Sequence, residues 1–249
     1  MAIASVGSVG TAGHATNASG ASWTVTGCTA SAGDVLVLIS ASDNNGTTTG
    51  YSNEVASVTD SASNTWSILN DGTNNAAYVY SPTGVANDGA AVSVWRTKVT
   101  SALSSGTITI TLNNSKDAKA TSIWRYTVGT GMTLAAVSGT VMGYGENVDT
   151  TYMTALAISG LTSGEYLFFR GGAAERGFGS LTVSSGYTQV TPHAVSSPAM
   201  ASAGEFRILT GTSSTSQPFY NDKADIATVF LALKEVAVSS SSAFFAHAG

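Results

Sequence analysis

The chain has 249 residues, 10% of them charged and 43% hydrophobic, with a net charge of −5 and one cysteine, Cys28. That length allows a large β-domain with a true core, and one cysteine excludes both an intrachain disulfide and a Cys-based zinc site. Ten Lys and Arg with no basic stripe exclude the clustered cations that nucleic-acid binding requires, and no run approaches the about 20 apolar residues of a membrane span.

The opening "MAIASVGSVG" lacks the positive n-region of a signal peptide. Export by the general route is therefore not expected, whereas release within a particle by lysis is compatible with it. Residues 1–22 are rich in Gly, Ala and Ser and read as an N-terminal arm. Trp23, in "SWTVTG", opens the body of the chain, as core or as an exposed ring.

"DVLVLISA" (34–41) is apolar on both faces, as a central strand is. "VTDSASNTWSIL" (58–69) holds Asp, Ser, Asn and Trp within a few positions and reads as a turn between strands, Asp60 and Ser61 bonding nearby backbone N–H groups. "AVSVWRTKV" (91–99) and "ATSIWRYTV" (120–128) are strands in which Trp95 and Trp124 read as core, with Trp66 beside them. "TITITL" (107–112) alternates cleanly, with Ile108, Ile110 and Leu112 on one face. "EYLFFR" (165–170), "EFRILTG" (205–211) and "ADIATVFLAL" (224–233) complete the set. A helix competes only at 224–236, where β-branched content favours a strand. Asn45-Gly46, Asp71-Gly72 and Asp88-Gly89 are dipeptides of tight turns. Residues 237–249 read as a C-terminal tail, a Ser tether ending in Phe244 and Phe245, which either dock on a partner or fray.

Many short strands with polar turns predict an all-β fold, an antiparallel, jelly-roll-like β-sandwich over residues 23–236. "SAGDVLVLISA" (31–41) is echoed by "LTSGEYLFFRGG" (161–172), and Trp66 after the first by Tyr187 in "SSGYTQV" after the second. Two readings stand: two similar half-sandwiches in one domain, or coincidence among short strands in a biased composition.

Candidate chemistry is thin. The histidines are His14, His193 and His247; two lie in the terminal segments, His193 follows Pro192 in an expected surface loop, and no G-x-S-x-G elbow occurs. Asp43, Asp60, Asp71, Asp88, Asp149 and Asp222 fall where turn chemistry accounts for them, so no carboxylate pair for glycoside hydrolysis is assigned. "SDNNG" (42–46) offers oxygen ligands without the spacing of an EF-hand, which leaves calcium at a turn open. No catalytic, cofactor or metal residue is assigned, and the expectation is a protein that is not an enzyme.

The order "AGDVLVLIS", "VTDSASNTW", "VWRTKV", "GTITITL", "SIWRYTV" resembles β-sandwich proteins of tailed-bacteriophage particles and their prophage relatives, in which a Gly-Asp strand precedes a V-[ST]-D-S-x-x-N-T-[WY] turn. "GEYLFFRGG", "SGYTQV", "FRILTGTSSTSQPF" and "DIATVFLALKEV" resemble its second half, so the likeness spans about residues 23–236; "GTGM" from Gly129 replaces a Ser-Gly-Val-like corner. The resemblance implies a non-enzymatic virion protein on the particle exterior, foremost a capsid decoration or cement protein. It would form a homo-oligomer, a trimer, and bind the major capsid protein or other virion proteins through its arms, Phe244 and Phe245 included. The alternatives are a carbohydrate-binding module of a tail fibre or cell surface, and a tail or baseplate component. On composition alone, an ordinary secreted β-domain competes with these.

Overall fold

The computed structural model describes residues 3–9, 20–44, 48–82, 89–148, 152–175, 181–195, 200–220 and 224–238. Within them the chain is all-β. The first half runs β1 (Ala4–Ser8), β2 (Gly20–Ala30), β3 (Val35–Asp43), β4 (Val55–Asp60), β5 (Trp66–Ile68), β6 (Ala77–Tyr80), β7 (Ala90–Lys98), β8 (Leu103–Lys116) and β9 (Lys119–Thr127). The second runs β10 (Met132–Ala136), β11 (Met142–Val148), β12 (Leu156–Ile158), β13 (Gly164–Glu175), β14 (Leu181–Thr182), β15 (Thr188–Val195), β16 (Met200–Gly211), β17 (Ser214–Ser216), β18 (Phe219–Tyr220) and β19 (Ala224–Ala237).

Strand pairing is antiparallel throughout and produces a layered β-sandwich. One inner sheet has the order β1-β9-β3-β7-β5, with β6 also on β7; the other has β10-β19-β13-β16-β15, with β11 also on β19. Outside the first lies a three-stranded sheet, β2-β8-β4, and outside the second lie the pairs β12-β17 and β14-β18. In the first half, the β3–β7 pair nests in sequence inside the β2–β8 pair, and β1 to β4 and then β7 to β9 alternate between inner and outer sheet, with β5 and β6 both added to the inner one. This is a jelly-roll wrap. The second half repeats the order: β13–β16 nests inside β12–β17, and β19 lies beside β13 as β9 lies beside β3. The echoed segments of the sequence are thus the two central strands, β3 and β13.

Hydrophobic patterning explains the layers. On β3, Val35, Val37 and Ile39 face the opposite inner sheet, where they meet Leu167, Phe169, Val229 and Leu231. Leu36 and Leu38 face outward against Trp23, Ile108 and Ile110 of the outer sheet. A strand covered on both faces has no polar side to alternate with, hence its continuous apolar run. Each such side chain contributes about 1.5–3 kcal/mol by burial. β8 has one covered face: Ile108, Ile110 and Leu112 are buried, and its other face carries Thr109 and Thr111, whose hydroxyls bond Thr24 and Ser22 of β2 at 3.1 and 3.0 Å. Residues 224–237 form a strand rather than a helix, buried over their first ten positions.

Trp23, Trp66 and Trp95 are core residues. Trp124 is half-buried, packs on Phe206 and donates its indole N–H to Ser5 Oγ of β1 at 2.8 Å. Residues 4–8, within the segment read as an arm, lie along β9 as an edge strand, with Ile3 and Val9 buried at either end.

Candidate functional site

The 58–69 stretch links β4 to β5, and three of its side chains, Asp60, Asn64 and Trp66, share one local network. Asp60 Oδ1 accepts the backbone N–H groups of Ala62 (2.9 Å) and Asn64 (3.1 Å) and the Asn64 amide (3.2 Å); Asp60 Oδ2 accepts the indole N–H of Trp66 (2.8 Å). The carboxylate closes the turn and anchors the core tryptophan that follows it. Ser63 takes a positive φ of 60° at the tip, a conformation a non-glycine residue holds only when its surroundings enforce it. Asn64 reaches across to the next turn: its Oδ1 accepts from Thr100 N (2.8 Å), Thr100 Oγ1 (3.1 Å) and Ser101 N (3.0 Å), and its amide donates to Ser101 O (3.0 Å). Ser61 Oγ accepts from Thr107 N at 3.1 Å. Asp60 and Ser61, which raised the question of catalysis, are engaged in local structure, Asp60 within its own turn and Ser61 with β8, while Asn64 ties that turn to the next.

Cys28 lies nearby and is buried. Burial, and then the negative charge of Asp60, push its thiol up to about 11. It donates weakly to Val25 O at 3.7 Å and stays protonated, the inert state of a buried thiol.

A second buried polar cluster sits inside the second half. Arg170 of β13, 2% exposed, donates Nη1 to Thr154 O (3.1 Å), Ser216 O (3.0 Å) and Ser216 Oγ (3.4 Å), and Nη2 to Thr228 Oγ1 (3.2 Å). Glu205, its cross-strand partner on β16, accepts from Ser216 Oγ (2.6 Å), Ser184 Oγ (2.7 Å) and Ser184 N (2.6 Å). Burial pulls the guanidinium down to about 10, with Glu205, Glu146 and Tyr187 opposing it, so it is charged at neutral pH. The space beside Arg170, Gly172 and Glu205 is about 10 Å³, room for about one water molecule and too little for a substrate. The cluster fastens the outer pair β12–β17 to the inner sheet.

Phe244, Phe245, His14, His247, Asp88, Asp149 and Asp222, together with the Asn45-Gly46 turn, lie outside the described residues. His193 is half-buried in β15, not in a loop, at a register shift between Val190 and His193. An edge strand with a bulge is where a strand accepts a proline such as Pro192. Asp43 closes β3, its Oδ2 accepting Ala118 N at 2.9 Å, and burial raises its pKa. Asp71 accepts from Thr73 N and Asn74 N at 2.9 and 2.8 Å, as its turn position predicts. Among the described residues no three His, Cys, Asp or Glu side chains gather as a metal site.

Sequence reasoning did not single out Arg170 and Glu205. Arg170 ends a hydrophobic run as many strand-end arginines do, and Glu205 lies 35 positions away; only the β13–β16 register places them opposite each other. No protein-family model, no curated protein and no solved structure matches the chain.

Proposed function

We propose that this protein is a non-enzymatic structural component on the outside of a tailed-phage particle, foremost a capsid decoration protein that assembles with copies of itself and binds the shell. One observation carries the reading: the fold uses its scarce charges as internal fasteners and leaves a hydroxyl-rich exterior. Asp34, Asp71, Lys116, Lys119, Arg170, Glu205 and Asp225 are all buried, although such residues are rarely buried unless paired. Lys119 donates to the backbone oxygens of Gly20 and Lys116, and Lys116 pairs with Glu54 at 3.2 Å. The outer sheet presents Ser and Thr ladders instead. Copies of such a protein repel one another weakly when crowded on a shell, and several weak contacts from each copy add up through effective concentration.

The test is mass spectrometry of purified particles from cells that carry the gene. Many copies per particle are expected, and deletion of residues 240–249 should lower that occupancy. Absence of the chain from purified particles overturns the proposal; full occupancy without the last ten residues removes the tail from the attachment.

A further inference from the structure

A groove of about 310 Å³ opens on the surface of the first half, bordered by Asn44, Thr48, Tyr51, Ser52, Glu54 and Val79. Its volume is at the lower end of the roughly 300–1,000 Å³ of small-molecule sites. Tyr51 is 47% exposed, a large ring left in water, yet it is firmly held. Its hydroxyl accepts Gly143 N at 2.8 Å and donates to Val141 O at 3.3 Å, and its ring meets Tyr78 edge-on at 5.4 Å. The absence of a side chain at Gly143 permits this: a Cβ there would stand 2.9 Å from Tyr51 Cε1 and 2.1 Å from Tyr78 Cδ2.

The rest of the rim is equally fixed. Gly50 and Val79 exchange both backbone hydrogen bonds at 2.9 Å. Thr49 Oγ1 accepts from Ser81 N at 3.0 Å and donates to Ser81 O at 3.2 Å. Asn113 donates its backbone N–H to Glu54 O (2.8 Å) and its amide to Asn53 O (2.9 Å), while Lys116 orients the Glu54 carboxylate. A rim tied on two sides loses little freedom when a ligand arrives, which favours binding.

We infer that this groove binds a neutral sugar. A pyranose has apolar C–H faces and a belt of hydroxyls. Tyr51 offers an immobilised aromatic surface for the first. Glu54, Thr48 and Ser52 offer acceptors and donors for the second. The chemistry disfavours the other small ligands. Lys116 is engaged by Glu54, whose negative charge opposes a phosphate, and among the described bordering residues Val79 is the only aliphatic side chain, which disfavours a lipid tail. On a particle exterior such a groove would engage host-surface glycans, but binding is a property of the chain alone and is tested apart from particles.

The full chain is titrated by calorimetry and saturation-transfer NMR with glucose, galactose, mannose and their disaccharides, and in parallel with inorganic phosphate. Saturable binding of at least one neutral sugar is expected, with no response to phosphate. Tyr51→Ala should weaken binding about ten-fold or more, Tyr51→Phe should keep most of it, and Ser52→Arg, from an exposed position, should block the groove. If circular dichroism shows Tyr51→Ala unfolded, Ser52→Arg decides. No saturable binding across the sugar panel overturns the inference. So does binding of phosphate alone, or sugar binding that persists undiminished in Ser52→Arg.

Discussion

Asp60 has four hydrogen bonds to two oxygens, and no bound partner is more than six residues away. Locality of that kind can be read from a sequence, because the chain itself supplies both donor and acceptor. Asp60→Ala leaves two backbone N–H groups and a buried indole N–H without an acceptor. A cost of about 1–3 kcal/mol is expected, since stranded donors lose their hydration as well as their bond. Urea denaturation measures it, and Trp66 emission should shift toward the red as the indole loses its anchor. Unchanged stability would show that the turn holds without its carboxylate. Asn64 is different in kind: its neighbours Thr100 and Ser101 lie 36 and 37 positions away, and its role emerged only when β4–β5 and β7–β8 were seen to turn side by side.

Elements are joined by a few buried polar groups, and Asp71 joins the two halves. It lies between β5 and β6, accepts two N–H groups of its own turn, and accepts a third at Oδ2 from Val141 N at 2.8 Å, just before β11. Burial alone would raise its pKa; the N–H groups of Asn74, Val141 and Thr73 together outweigh burial and lower it. A carboxyl lowered in the folded state binds fewer protons there than in the unfolded chain, so its stabilisation is complete above the unfolded value of about 3.9. That stabilisation is lost as pH falls through the folded value. Stability should therefore decline in acid, and Asp71→Asn should flatten that decline. Chemical denaturation between pH 2 and 6 (about two units either side of the unfolded carboxylate value) checks it, and identical slopes in both proteins would dismiss the contribution. Arg170 plays the corresponding part inside the second half, bonding β17, β19 and the segment before β12 to its own strand.

The whole molecule depends on two inner sheets meeting closely. Gly204 of β16 lies under Ile39 of β3, and a Cβ there would come within 2.7 Å of Ile39 Cδ1 and 2.5 Å of Arg170 O. Gly171 meets Ile39 and Val94 in the same way. Sheets pack at about 10 Å when ordinary side chains interdigitate, and these two glycines give Ile39 its place. Gly204→Val should wedge the layers apart and cost about 1–3 kcal/mol or more, as overpacking does. A thermal melt measures the loss; a melting temperature equal to the parent's would mean that the sheets slide to absorb the methyl groups.

The all-β class, the seven principal strands, the burial of Trp66 and Trp95 and the Asp60 turn were legible in the residues themselves, whereas Trp23, left open, is core and Trp124, read as core, is half-buried. Each legible feature rests on contacts between near neighbours in sequence or on a period of two that repeats within one strand. The layer order, the opposition of Arg170 and Glu205, the seating of Ile39 over two glycines and the Tyr51 groove were decided by the tertiary structure. In every one of these the partners are dozens of residues apart in the chain. Their meeting is set by register between strands, and no local pattern of apolar and polar residues records which strand will be the neighbour.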